Sequence, residues 1–330
     1  MTRGLRALLH GVIDYAGMFP PARLPLDKAV RNYARFRQGE FAWMLGHFVV
    51  GAVQLEPLAD FLDGFDPQTE KSGLAITCGG SANVEQWSTE FDQQIAGISS
   101  FLNRAKGQAE LRAVEVKLPH PAETTPEQIL DLVCEKITMA GWPAAQAFFE
   151  VTAGPNSMDF RDQIARRAGQ QRPDDPPFGL KLRAGGLEAS EFPSVDVVTD
   201  VIMSCNQHKS SWKATAGLHH PLRQFREEVN TKMHGFLNVL TAAVLADAQP
   251  LRRDQVLEIV ADEDPVNFQL DDDGIAWREH RASVAEIEAA RKRTMISFGS
   301  CDFEEPLADL ELLGLPWLTI ERQQDDNPND

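Results

Sequence analysis

Charged residues stand in this sequence where buried strands would call for apolar ones. Glu115 and Lys117 lie in Val-Glu-Val-Lys-Leu, Glu150 in Phe-Phe-Glu-Val-Thr, Lys181 and Arg183 in Gly-Leu-Lys-Leu-Arg, and Lys213 in Ser-Trp-Lys-Ala-Thr. A parallel strand covered on both faces is normally almost wholly apolar, because an unpaired buried charge is costly. Alternation along a strand puts Lys181 and Arg183 on one face, and likewise Glu115 and Lys117. One such charge reads as a structural ion pair. Several on successive strands converge on one place, which points to a site at the strand ends, with a ring of salt bridges capping the core as the competing reading.

The chemistry this set could perform starts from lysine. A lysine amine is a nucleophile only when deprotonated, and its ordinary pKa is near about 10.4. A second cation and an apolar wall lower it. Lys181 beside Arg183 and Lys213 is expected to meet that condition, with Glu150 as general base and Lys117 completing the catalytic set. Glycine follows each lysine at the fourth position, Gly185 and then Gly186 after Lys181, Gly217 after Lys213. Glycine there permits a tight turn and close approach of a ligand, and the next helix N-terminus favours an anion. Arg183 is suited to grip a carboxylate or phosphate. A small anionic carbonyl compound is the substrate this pattern calls for.

The segment from Phe178 to Gly217 resembles class I aldolases of the deoxyribose-phosphate type, which carry two lysine–glycine motifs on neighbouring late strands of a TIM barrel. Lys181-Leu-Arg-Ala-Gly is similar to the first motif and Lys213-Ala-Thr-Ala-Gly to the second. The resemblance implies that Lys181 forms a Schiff base and that Lys213 tunes it electrostatically. Leu182 and Arg183 replace small hydroxylated residues of the first motif, and the family's early catalytic aspartate has no identified counterpart.

Histidines form another constellation. His219 and His220 follow Gly217, and His234 comes later in Met-His-Gly. With Glu150 they could hold a divalent ion if the fold brought them together. No H-E-x-x-H, H-x-H or paired-Asp motif strengthens that reading, so they are taken as polar substrate-binding groups, with no metal ligand assigned. In the N-terminal segment, Asp14, Tyr15 and Phe19 could reach over a barrel mouth, beside a loop fixed by Gly17 and Pro20-Pro21, or the segment could plug the core. Ser300 and Cys301 could face the same mouth.

The elements that must position these residues are short apolar runs alternating with amphipathic stretches, the pattern of βα units. Strands are expected at 48–55, 74–79, 113–118, 147–152, 178–183, 211–215 and 295–300, and 233–247 as a strand running into a helix or as one helix. A helix over 83–106 broken near Gly97 and another opened by Thr125-Pro126-Glu127 are predicted. Phe-x-Leu and Ile-x-Trp around Asp-Asp-Asp-Gly mark a hairpin at 267–278. The fold expected is α/β: a (β/α)8 TIM-like barrel over 46–320 with an N-terminal helical cap (1–45), the inserted β-hairpin and a disordered acidic tail at 321–330. An open doubly wound α/β sheet is the alternative.

The formal net charge of -17 argues against binding nucleic acid or anionic membranes. Cys78, Cys134, Cys205 and Cys301 form no C-x-x-C pair and read as small packed residues. No apolar run spans a bilayer and no signal peptide is evident, so a cytoplasmic protein is expected, with a homo-oligomer left open. No Walker or G-x-G-x-x-G pattern calls for a nucleotide, and no cofactor is expected, a divalent metal ion being the alternative. Three functional readings follow. The first is a Schiff-base-forming lyase of the aldolase kind, and the second a metal-dependent lyase or hydrolase on a similar barrel. The third is a non-catalytic sensor of an acidic metabolite, whose lysines would stay paired and protonated.

Overall fold

A computed structural model describes residues 1–64, 73–105, 107–119, 124–142, 145–154 and 156–313. Eight parallel strands close into a barrel. Numbered as barrel strands, they are β1 (Ile13–Tyr15), β2 (Leu45–Gly51), β3 (Gly73–Cys78), β4 (Glu110–Lys117), β5 (Gln146–Glu150), β6 (Phe178–Arg183), β7 (Trp212–Thr215) and β8 (Met295–Ser300). Each pairs with its sequence neighbours, and β1 closes the ring against β8 through Ile13–Phe298 to Tyr15–Ser300. The expected (β/α)8 architecture is therefore present, and the open-sheet alternative is not.

Helices between strands follow local signals. Thr125 caps the helix Pro126–Ala140 in a capping box with Gln128, and Gly141 ends it in the left-handed conformation. The helix Val84–Ala105 runs straight through Gly97, contrary to the expected break, and buries Trp87, Phe91, Ile98 and Phe101 against the strands. A single glycine costs a helix only about 1 kcal/mol relative to alanine, which burial of this apolar face outweighs.

Two other assignments change. Residues 1–45 are not only a cap, because Ile13–Tyr15 is a barrel strand. Three residues with an acid in the middle offer no periodicity to recognise. The segment 233–247 holds no barrel strand; Thr231–Met233 pairs with Gln224–Arg226 in a small antiparallel ribbon, and Phe236–Ala248 is a helix. That helix is apolar all round because it is enclosed on every side by other helices, β8 and a three-stranded sheet. The sheet contains the expected hairpin (Phe268–Leu270 and Gly274–Trp277), extended by His280–Ser283. The acidic segment 321–330 lies outside the described residues. No helix among the described residues is long and apolar enough to cross a membrane.

The large apolar side chains pack between the barrel and its helices, Phe48, Ile76, Val114, Val116, Phe149, Leu180 and Leu182 among them. Inside the barrel the apolar cluster is small: Ala16, Val49, Ala75, Ala113 and Phe148, with Phe19 and Ile296 against it. Charged side chains occupy the space left.

The loops leaving β6 and β7 touch backbone to backbone. Gly217 has φ +71°, and a Cβ there would lie 2.6 Å from the Ala184 carbonyl oxygen and 2.7 Å from the Gly185 Cα. Gly185 is equally confined, by Gly217 and the Phe192 ring. Gly217→Ala is expected to destabilise the protein by about 1–3 kcal/mol from backbone strain, with the overlap adding to it. A urea midpoint equal to that of the parent chain would sink this account of the two glycines.

Candidate functional site

Register builds the site. Lys117 pairs with Glu150 across β4–β5, Glu150 with Lys181 across β5–β6, and Lys181 with Lys213 across β6–β7. Four strands thus present an ionisable residue at one level, and alternation sends Glu115 and Arg183 to the same face one step below and above. From β1, Asp14 reaches the same interior.

These groups form one continuous chain of opposite charges. Lys213 Nζ lies 2.5 Å from Asp14 Oδ2 and 2.5 Å from Glu115 Oε1. Lys181 Nζ lies 2.7 Å from Glu115 Oε2 and 3.0 Å from Glu150 Oε2, and Arg183 Nε donates to Glu150 Oε1 at 3.1 Å. At the other end, Asp14 accepts from Ser297 Oγ at 2.6 Å and from the His47 backbone N–H at 2.7 Å, with His47 Nδ1 3.0 Å away. Phe148 places its ring 5.7 Å from Lys213 Nζ. Three carboxylates face three cations, so ions that burial alone would discharge remain charged.

Electrostatics follow from that balance. Burial disfavours charged Lys181, but the carboxylates of Glu115 and Glu150 outweigh it and raise the ammonium pKa. Lys213 is raised in the same way, against burial, by Asp14 and Glu115. The expectation that Arg183 and Lys213 would push Lys181 towards neutrality is therefore reversed, because each cation has a carboxylate between it and Lys181. Burial likewise opposes charge on the acids, yet Asp14 and Glu115 are held below the ordinary carboxylate range by their lysines. Glu150 falls from 4.5 to about 2, burial being overcome by Lys181 and Arg183.

Above this chain, at the C-terminal ends of the strands, opens a cavity of about 400 Å³. This is the end at which TIM-barrel enzymes do their chemistry. Lys117, Glu150, Lys181 and Arg183 line it, with Glu115 at its floor. Lys181 reaches it, and Lys213, at the same level but with its amine turned inward between Asp14 and Glu115, does not. The Arg183 side chain is 47% exposed, whereas its partner Glu150 is buried. Lys117 forms no ion pair among the described residues, leaving a second cation for a ligand.

The other expected residues divide. Gly186, Gly217 and His219 line the cavity, while Gly185 packs beneath it. Gly217 serves the contact between loops as well as leaving room for a ligand. His219 pairs through Nδ1 with Glu305 at 3.0 Å, and His220 with Asp309, one turn further along the helix Glu304–Leu312. His220 is buried away from the cavity. His234 is also outside it; its Nε2–H donates to the Pro193 carbonyl at 2.7 Å, and burial lowers its pKa, keeping the ring neutral. Asp14 does not reach over the mouth but is wholly buried within the barrel. Among the described residues no three His, Cys, Asp or Glu side chains are grouped to hold a metal ion. Tyr15 packs among Tyr33, Phe36 and Phe48 outside the barrel, and Phe19, Pro20 and Pro21 line the cavity. Cys301 lines the cavity too, with its thiol pushed up to about 11 by burial, unsuited to nucleophilic work.

Three participants lacked a usable sequence signal. His47 and Ser297 are ordinary in type and context, and nothing local says that they meet Asp14. Cys78 ends the apolar strand β3 and lines the cavity, with its thiol pushed up to about 12 by burial and the nearby Glu115. No protein-family model matches the sequence, and no curated protein is similar to it.

Two outcomes test the ionic chain. Lys213→Met would leave Asp14 without its lysine and Glu115 with one cation, at an expected cost of about 3–5 kcal/mol in urea unfolding. Loss of under about 1 kcal/mol would mean that the chain contributes little. The second concerns acid. Because the folded pKa of Glu150 lies below its ordinary value, its stabilisation is present above pH 4.5 and lost as pH falls through about 2. Stability followed from pH 6 to about 2 should fall less steeply in Glu150→Gln than in the parent chain, and parallel curves would contradict the depressed pKa.

Proposed function

We propose that this protein is a lyase of the aldolase kind, acting through a Schiff base between Lys181 and a small anionic carbonyl compound. The observation that carries the reading is one lysine at the floor of the upper cavity, in contact with two carboxylates, with Arg183 and Lys117 beside it. The cations would hold an acidic group of the substrate while Lys181 meets its carbonyl carbon. The motif resemblance over 178–217 supports the same assignment, with Lys213 as the charge that sets the field rather than the nucleophile.

The resting lysine is protonated, so the reaction must begin by discharging it. An anionic substrate that engages Arg183 draws the guanidinium from Glu150 and removes a positive neighbour. Glu150 then rises towards the ordinary carboxylate range and can accept the Lys181 proton. The free amine adds to the carbonyl carbon, the oxygen takes a proton, and water leaves as the protonated imine forms. The protonated imine accepts the electron pair of the bond between its α- and β-carbons as that bond breaks; the β-hydroxyl gives up its proton and the far fragment leaves as an aldehyde, and protonation of the resulting enamine followed by hydrolysis returns the lysine.

A second reading is favoured by a specific observation. Both lysines are paired and held in their charged form, as a non-catalytic sensor of an acidic metabolite would keep them. Intact mass after sodium borohydride treatment, with a panel of small keto acids and sugar-phosphate aldehydes, separates the two. A reduced adduct on Lys181, absent in Lys181→Arg, is expected. Thermal stabilisation by panel acids without any adduct would replace the lyase with the sensor.

A further inference from the structure

A second cavity, of about 820 Å³, lies at the opposite end of the barrel, under the N-terminal ends of β2, β5 and β8. Its ionisable lining is Arg3, Arg6, His10, His47, Glu288, Arg291 and Lys292. Four permanent cations thus face one carboxylate, in a chain whose formal net charge is -17. Most other arginines among the described residues are in ion pairs, whereas Arg3, Arg6, Arg291 and Lys292 have no carboxylate within 4.0 Å. Arg6 instead stacks 5.3 Å from the Trp43 ring, and Arg291 gives its Nη groups to the backbone carbonyls of Met295 and His10, leaving its buried Nε–H without a partner. Cations without a carboxylate gathered around a concavity repel one another unless an anion joins them, and the exposed planar forks of Arg3 and Arg6 match phosphate oxygens. The volume suits a small molecule rather than a peptide surface.

We propose that this lower cavity is a second binding site, for a small molecule bearing a diphosphate group. Two phosphates carry the negative charge that the net cationic lining leaves unmatched. The site is separate from the lysine chemistry above and does not rest on it. One residue joins them: the His47 ring lines the lower cavity and its Nδ1 lies 3.0 Å from Asp14, the first carboxylate of the ionic chain. A polyanion beside His47 would therefore be felt at Lys213 and beyond.

Inorganic pyrophosphate is the probe, with sodium chloride at matched ionic strength as the control. Saturating pyrophosphate is expected to raise the thermal midpoint of the full chain by roughly 3–6 °C over the control. The shift should disappear in Arg3→Ala/Arg6→Ala, whose side chains are exposed, and persist in Arg183→Ala, whose change lies in the upper cavity at the far end of the ionic chain from His47. Lys292→Ala should weaken binding by about 10-fold or more in calorimetric titration. No shift beyond the salt control overturns the proposal. So does a shift that survives in the double variant, or one lost in Arg183→Ala, which would put the ion in the upper cavity. Failure of the borohydride experiment leaves this result unaffected, so the two readings fall separately.

Discussion

The barrel depends on charge neutrality along a single buried line. Asp14, Lys213, Glu115, Lys181, Glu150 and Arg183 succeed one another at 2.5–3.1 Å from β1 across the interior to β6. Most barrels of this type fill their interior with branched apolar side chains in layers. Here the interior apolar cluster is a handful of mostly small residues, and the ionic line takes the remaining volume. Each ion has surrendered water, so each relies on the next for its charged state. Removing any one leaves its neighbours buried and uncompensated, which makes the line cooperative in a way that surface ion pairs are not.

The line also ranks its members for chemistry. Lys213 is enclosed between two carboxylates with no access to the cavity, which suits a fixed source of field. Lys181 sits between two carboxylates as well, but one of them, Glu150, is shared with a half-exposed arginine at the cavity wall. That is the weakest junction, because Arg183 alone can exchange its protein partner for a ligand or for water. A site that is stable at rest and alterable at one point is what the proposed reaction requires. The other end, where Asp14 meets His47 and Ser297, is anchored by backbone and hydroxyl donors and opens towards the cationic lower cavity.

Much of this was legible in the residues. Charges embedded in Val-Glu-Val-Lys and Gly-Leu-Lys-Leu-Arg announced inward-facing ionisable groups, since period-two alternation leaves them nowhere else to point. The alternation of apolar runs and helices announced the closed barrel. Strand β1 was not legible, because three residues around an aspartate carry no periodic signal. The helix Phe236–Ala248 was ambiguous for the opposite reason: a segment buried on all sides has no polar face to reveal its period. Asp14 could be picked out as unusual, yet its placement over the mouth was wrong, because nothing near it in sequence shows that its segment is a strand closed between β2 and β8.

By itself, then, the sequence determined the α/β alternation, the inward face of each charged strand, and the glycine turns after β6 and β7, all properties of neighbours along one chain. Tertiary structure alone decided which charge meets which. That pairing reversed the expected pKa of Lys181, because a lysine responds to the nearest charges in space, and those are Glu115 and Glu150 rather than Arg183 and Lys213. It also dispersed the histidines, giving His219 and His220 to carboxylates one helical turn apart and His234 to a backbone carbonyl. Coulomb interactions fall with distance through space, and distance through space is what a barrel's closure sets.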